Sequence, residues 1–206
     1  MQLDEVVRRR KMVRSYADDP VPGEVLDRML GLALRGPSAG FTQGIDLLVL
    51  EGSETRQFFE LTSDPGFLAE PGSLAGLLRA PVIVVPVSDP GAYLARYGEP
   101  DKAGSSLAGL ASESWPVPYW LVDSSFAVML LLLAATDAGL GALFFRLHRD
   151  PELLLEALGV PEGRQVIGAV ALGYEERADP RARAAASGSA RPPRRPASAA
   201  VHKGRW

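Results

Sequence analysis

Leu3, Val6 and Val7 fall at i, i+3 and i+4, the spacing of one helix face, and the same face continues to Arg10, Lys11 and Arg14, where more apolar residues would be expected. The apolar stripe of a first amphipathic helix therefore turns cationic. Pro20 and Pro22 break the chain, and Val25, Leu26, Met29, Leu30 and Ala33 predict a second amphipathic helix ending near Gly36. Residues 36–44, rich in Gly, Pro and Ser, form a loop before a short apolar strand from Ile45 to Leu50, and residues 53–62 fit a helix capped by Ser53. Pro81 to Val87 is a valine-rich buried strand. Residues 88–118 hold no sustained period, and so long a connection in a compact domain is usually functional or mobile.

Asp123 is placed to cap a helix over 124–138 that is apolar on nearly every side and therefore central to the fold. Its strongly apolar run, Phe126 to Ala135, is shorter than the roughly 20 residues a bilayer requires. Gly139-Leu140-Gly141 stops this helix before a strand at Ala142 to Phe145. Asp150-Pro151 opens a helix to Leu158, and Val166 to Leu172 supplies a last strand. Helices separate most strands, so the residues alone give an α/β or α+β class with a small central sheet.

Charge then divides the chain. Residues 177–206 carry seven Arg and one Lys against one Asp, a net of +7, which leaves −10 on residues 1–176 within an overall −3. One domain over 1–176 followed by a basic extension over 177–206 is the expectation. Nothing in the extension buries a core of its own, yet it closes on Val201-His202-Lys203-Gly204-Arg205-Trp206, two cations between apolar anchors. It either touches nucleic acid or supplies cations to an anion bound by its own protein.

Cysteine is absent, and His148 and His202 stand far apart outside any His-Glu-x-x-His pattern, which removes disulfides, thiolate nucleophiles and the usual zinc sites. No Gly-x-Ser-x-Gly elbow or Gly-Lys-Ser/Thr phosphate loop occurs. Without an apolar leader at the first residues, a cytoplasmic location is the expectation. An enzyme built this way borrows its reactivity from an organic cofactor. Arg10, Lys11 and Arg14 would need an anion if buried, and a phosphorylated cofactor provides one; as the last turn of a surface helix they would instead simply face water.

Arg10-Lys11-Met12-Val13-Arg14-Ser15-Tyr16 followed by Asp18-Asp19-Pro20-Val21-Pro22, the loop Pro37 to Gly44, the apolar helix and glycine turn of Leu130 to Gly141, Leu158-Gly159-Val160-Pro161, the strand Gly168 to Gly173 and the ending Lys203-Gly204-Arg205 together resemble the nitroreductase family over nearly the whole chain. The resemblance implies an α+β fold with a small, mostly antiparallel central sheet surrounded by helices. It implies a homodimer whose C-terminal extension is exchanged across the partner, and two FMN sites at the interface.

By position, Arg10, Lys11, Met12, Arg14, Lys203 and Arg205 would serve the ribityl phosphate side of FMN, and Pro37, Ser38, Ala39 and Gln43 would approach the ring from the partner. Leu143, Phe144 and Phe145 would border the ring near N5, or else be plain core strand. Phe41, Tyr93, Tyr97, Trp115, Tyr119 and Trp120 would cover the site and meet an acceptor, or else anchor the long loop. Met12, Lys11, Phe41 and Gly44 stand where the family commonly has Ser, Arg, Asn and Pro. The implied activity is hydride transfer from NAD(P)H through FMN to a nitroaromatic, quinone or related small acceptor, without metal, nucleic acid or membrane. FMN storage with little turnover, or dehydrogenation of a small metabolite, are the alternatives.

Overall fold

The structure is a computed structural model that describes residues 1–147, 149, 151–176 and 193–205. His148, Asp150, Trp206 and most of the basic extension, about which expectations were formed, lie outside these residues. The sheet is built from Ile45–Glu51 (β1), Val82–Ser88 (β2), Gly141–Phe145 (β3), Gln165–Val166 (β4) and Ala169–Gly173 (β5). Its order is β1, β2, β5, β3, with β4 also on β2, and all these pairings are antiparallel. The last strand is thus split in two at Ile167-Gly168, where Gly168 has φ 146 and a Cβ would run into the carbonyl oxygen of Phe145. Only glycine tolerates that backbone.

Strand alternation divides the core. Ile83, Val85, Val87, Leu143, Ala169 and Ala171 face one cluster with Phe58, Phe59, Leu154 and Leu155 of the helices Ser53–Thr62 (α3) and Pro151–Ala157 (α7). Val82, Val84, Val170 and Leu172 face the other, with Leu26 and Met29 of Gly23–Ala33 (α2) and Val128, Leu131, Leu132 and Ala135 of Tyr119–Asp137 (α6). The central strand β2 is buried along its whole length, which accounts for its continuous apolar run. Gly52, with φ 56, occupies the cap position of α3, so Ser53 is its first helical residue and not the cap.

Two helices depart from the sequence expectation. Leu3–Arg9 (α1) ends at Arg9: Arg10 has φ −55 and ψ 122, and the chain continues extended along the edge of β3, with a parallel bridge from Met12 to Ala142 and Val13 N–H donating to the Ala142 carbonyl at 2.9 Å. Arg10, Lys11 and Arg14 therefore do not share a helical stripe. An open sheet edge gave that backbone a better partner than another helical turn.

The other is α6, which begins at Tyr119. Asp123 lies inside it and does not cap it. Helix α6 packs its inner side on α2, β2 and β3, while Phe126 and Met129 are 43% and 48% exposed and Leu130 and Leu133 are half-buried. At 19 residues and a mean hydropathy of 1.6 it is long and apolar enough to cross a membrane, although half of it is buried within the protein.

The segment 88–118 is also more ordered than its composition suggests, because Pro90–Tyr97 (α5) opens it with Asp89 as N-cap, the carboxylate accepting from Ala92 N–H at 3.1 Å. Pro65–Ala69 (α4) uses the same pair, Asp64 and Pro65, with Asp64 accepting from Gly66 N–H at 2.7 Å.

Candidate active site

The end of the body returns to its beginning. Ala17 N–H donates to Tyr174 O at 2.9 Å, Glu176 N–H donates to Ser15 O at 3.0 Å, and Tyr16 bridges Glu175. Tyr16 is fully buried, its hydroxyl donating to the carbonyls of Val13 and Ala171, and burial pushes the phenol far above its usual value. Glu176 accepts from the Ser15 hydroxyl and pairs with Arg79, which together hold its carboxyl below the usual range. The last residues of the body, Glu175 and Glu176, thus lie against residues 15–17, next to the Arg10–Arg14 segment.

Within that segment the cations differ. Lys11 is exposed and lies 2.6 Å from Glu175, so its charge is already matched. Arg14 is exposed, with one long hydrogen bond of 3.5 Å to the Met12 carbonyl. Arg10 is half-buried, and its Nη1 is buried with no hydrogen-bond partner among the described residues. A guanidinium nitrogen in that state lacks only an acceptor, and an anion is the acceptor it suits. Lys203 and Arg205 stand exposed, and no described hydrogen bond or ion pair joins them to Arg10.

On α2 and α6, Pro37, Ser38 and Gln43 line a cavity of about 150 Å3 together with Ile45, Asp123 and Ala127. The loop that forms its wall is tightly held. Asp123, 3% exposed, accepts from Ala39 N–H at 2.9 Å and from the Tyr93 hydroxyl at 2.7 Å, both at Oδ2. Ser38 Oγ accepts from Gln43 N–H at 3.0 Å, and Arg96 Nε donates to the Gly40 carbonyl at 2.9 Å while Asp101 grips the guanidinium with both oxygens.

These bonds maintain a left-handed backbone at two non-glycine residues, Phe41 with φ 56 and Gln43 with φ 55, a conformation that persists only where its surroundings enforce it. Phe41 is left 76% exposed. Burial, followed by the bond to Asp123, raises the Tyr93 phenol far above its usual value, so it stays a donor.

Gly44 belongs to the same arrangement. A Cβ there would lie 2.6 Å from the buried Tyr93 ring, so glycine is the residue that fits without displacing it. Gly44→Ala is expected to lower stability by about 1–3 kcal/mol through overpacking, seen as a fall in the thermal midpoint. An unchanged midpoint would show that the ring yields.

Several of the candidate site residues are partly or wholly buried. Tyr93, Trp115 and Trp120 are buried and form a cluster with Tyr97 and Tyr119, Tyr97 meeting Trp115 edge-on at 5.0 Å. Tyr93, Trp115 and Trp120 anchor the segment over α6, while Tyr97 and Tyr119 are only half-buried. Trp120 Nε1 donates to Gln165, whereas Trp115 Nε1 is buried without a partner among the described residues. The side chains of Leu143 and Phe145 pack in the core, Phe145 stacking on Phe59 at 6.3 Å, and Phe144 packs on the other face, both phenylalanines being half-buried. Asp123 and Arg96 were not anticipated as site residues. The Asp89-Pro90 pair marks α5, and with it Arg96 and Tyr93, but nothing local distinguishes Asp123 from a cap.

The three-layer α+β chain has the fold of solved nitroreductase family proteins. It superposes on the nitroreductase family protein of Streptococcus pneumoniae TIGR4 with TM-score 0.72 at 17% identity, covering 98% of this chain and 100% of that one. An FMN-dependent nitroreductase of Clostridium difficile R20291 matches with TM-score 0.61 at 21% identity, over 86% and 90% of the two chains. The chain belongs to the nitroreductase family, whose model matches residues 7–174. Among characterised sequences, an NADH dehydrogenase of Thermus thermophilus is 29% identical over 181 residues, 81% of this chain and 83% of that protein. The family makes the chain an oxidoreductase.

Proposed function

We propose that the protein is a homodimeric FMN-dependent oxidoreductase that takes hydride from NAD(P)H and passes electrons to a quinone, nitroaromatic or related small acceptor. The observation that carries this is Arg10, whose buried Nη1 has no partner in a chain of the nitroreductase family. The FMN dependence of the C. difficile protein and the NADH-based name of the T. thermophilus one support the same reading.

Arg10 and Arg14 would hold the phosphate, with Lys203 and Arg205 joining from the extension, so that residues 1–176 form the cofactor-binding body and 177–206 complete its site. Lys11 contributes charge only by leaving Glu175, and Met12 only through its backbone. Pro37, Ser38, Ala39 and Gln43 would approach the ring from the partner, and the Leu143–Phe145 backbone would lie along its edge. Bound FMN supplies the two-electron chemistry. The chain's own groups bind, orient and keep water from it, which is why no side-chain acid or nucleophile is needed.

Phe41, held rigid and exposed, would be an aromatic able to meet a planar acceptor. The purified protein should be yellow, release flavin on denaturation and oxidise NADH or NADPH when a quinone is present. A colourless preparation that fails to take up added FMN would defeat the proposal. Bound flavin that nicotinamide reduces only very slowly would mark a flavin store instead.

A further inference from the structure

The cavity beside Asp123 is too small for a whole ligand. Its volume of about 150 Å3 falls below the roughly 300–1,000 Å3 of a pocket that surrounds a small molecule. It therefore admits a single ring or side group of a larger molecule. Its walls are apolar at Pro37, Ile45 and Ala127 and polar at Ser38, Gln43 and Asp123.

The polar groups have defined vacancies. Both hydrogen bonds received by Asp123 end on Oδ2, and no described donor reaches Oδ1. A carboxylate buried to this depth gains from any N–H brought to that oxygen, since a charge-assisted hydrogen bond replaces lost solvation. Ser38 Oγ already accepts from Gln43 N–H, and a hydroxyl keeps one proton to give. An acceptor and a donor on one small cavity match a primary carboxamide, whose NH2 would bind Asp123 and whose carbonyl would take the Ser38 proton. A carboxylate ligand offers no donor and is repelled by Asp123. An alcohol satisfies only one of the two groups at a time.

We propose that this cavity is a carboxamide subsite in which Asp123 and Ser38 recognise the amide of the nicotinamide reductant. The choice of nicotinamide rests on the reading above, but recognition of an amide is measurable without turnover. Benzamide and benzoate, identical in ring and differing in donor and charge, are titrated into the purified protein and followed by NMR chemical shifts.

Benzamide should perturb the amides around Ser38 and Asp123 and bind at least about tenfold more tightly than benzoate. Asp123→Asn keeps a carbonyl oxygen for Ala39 N–H and preserves the loop, yet should bring that preference below about twofold. Ser38→Ala, which leaves Asp123 intact, should weaken benzamide by about threefold to tenfold. In steady-state assays Asp123→Asn should raise the KM for NADH by a larger factor than it changes the acceptor KM.

Equal binding of the two probes by the native protein, or a preference that survives Asp123→Asn, overturns the subsite. So does a variant whose acceptor KM rises in place of that for NADH. Selective amide binding in a protein that neither NADH nor NADPH reduces upholds the subsite and overturns only the nicotinamide assignment.

Discussion

Arg10→Ala should weaken FMN binding by about 10- to 150-fold, the equivalent of losing roughly 1.5–3 kcal/mol in hydrogen bonds to a charged group. Purified variant should then carry little flavin. The argument lies in the difference between Arg10 and its neighbours. Arg8 and Arg9 pair with Asp4 and Glu5 one turn away and stay largely exposed, so they neither need nor favour a further anion. Arg10 has left the helix, and its Nη1 is out of water without an acceptor.

That state costs free energy in the empty protein and returns it when an anion arrives. Two consequences separate a ligand-binding role from a structural one. Arg10→Ala should leave the stability of flavin-free protein unchanged or slightly higher, because a buried unpaired donor is removed. Arg8→Ala should leave flavin affinity as it was. Fluorescence titration with FMN, together with thermal melts of the flavin-free forms, reads both. Flavin retained at native affinity in Arg10→Ala would end the case for a phosphate at this position, and a loss confined to Arg205→Ala would move the site to the extension.

How far the sequence shows this site follows from the range of the interactions. The strands around Val82–Ser88 and Gly141–Phe145 and the helices Gly23–Ala33 and Ser53–Thr62 are legible because burial on a sheet or helix face imposes periods of two or 3.6 on consecutive residues. The cationic group is legible as composition, but its geometry is not. Whether Arg10 continues a helix depends on the edge of β3, more than a hundred residues away, accepting Val13.

Asp123 shows the same limit more sharply. A carboxylate ahead of an apolar run reads as a cap, and only the arrival of Ala39 and Tyr93 from two other elements makes it the anchor of a loop. The aromatics of residues 93–120 fill one another's surfaces for a similar reason: once α5 forms on Asp89, their spacing turns them inward. The Asp-Pro pairs at 64–65 and 89–90 were available signals of helix starts, as usable as the pair at 150–151.

Placing glutamates at both Phe126 and Met129 should convert the protein to a monomer and release its flavin. Phe126, Met129, Leu130 and Leu133 follow the i, i+3, i+4, i+7 spacing on the outer side of α6, a second apolar face on a helix whose inner face already fills the core. Leu32 and Leu34 near the end of α2, and Leu3 and Val7 on α1, which packs beside α6, add exposed apolar surface on the same layer. A patch of this kind is ordinarily covered, and in the proposed homodimer a second copy of the chain would cover it with the same surface, as two-fold symmetry allows.

Burying one Phe or Met is worth roughly 1.5–3 kcal/mol, so removing both from each side of an interface weakens it by at least about a hundredfold, before the cost of burying carboxylates. Sedimentation velocity at micromolar concentration reads the assembly, and absorbance in the same run reads the flavin. The two signals separate the claims. A native protein that sediments as a monomer refutes the dimer, whereas a monomeric variant that keeps its flavin shows that Pro37, Ser38 and Gln43 serve a site within their own chain.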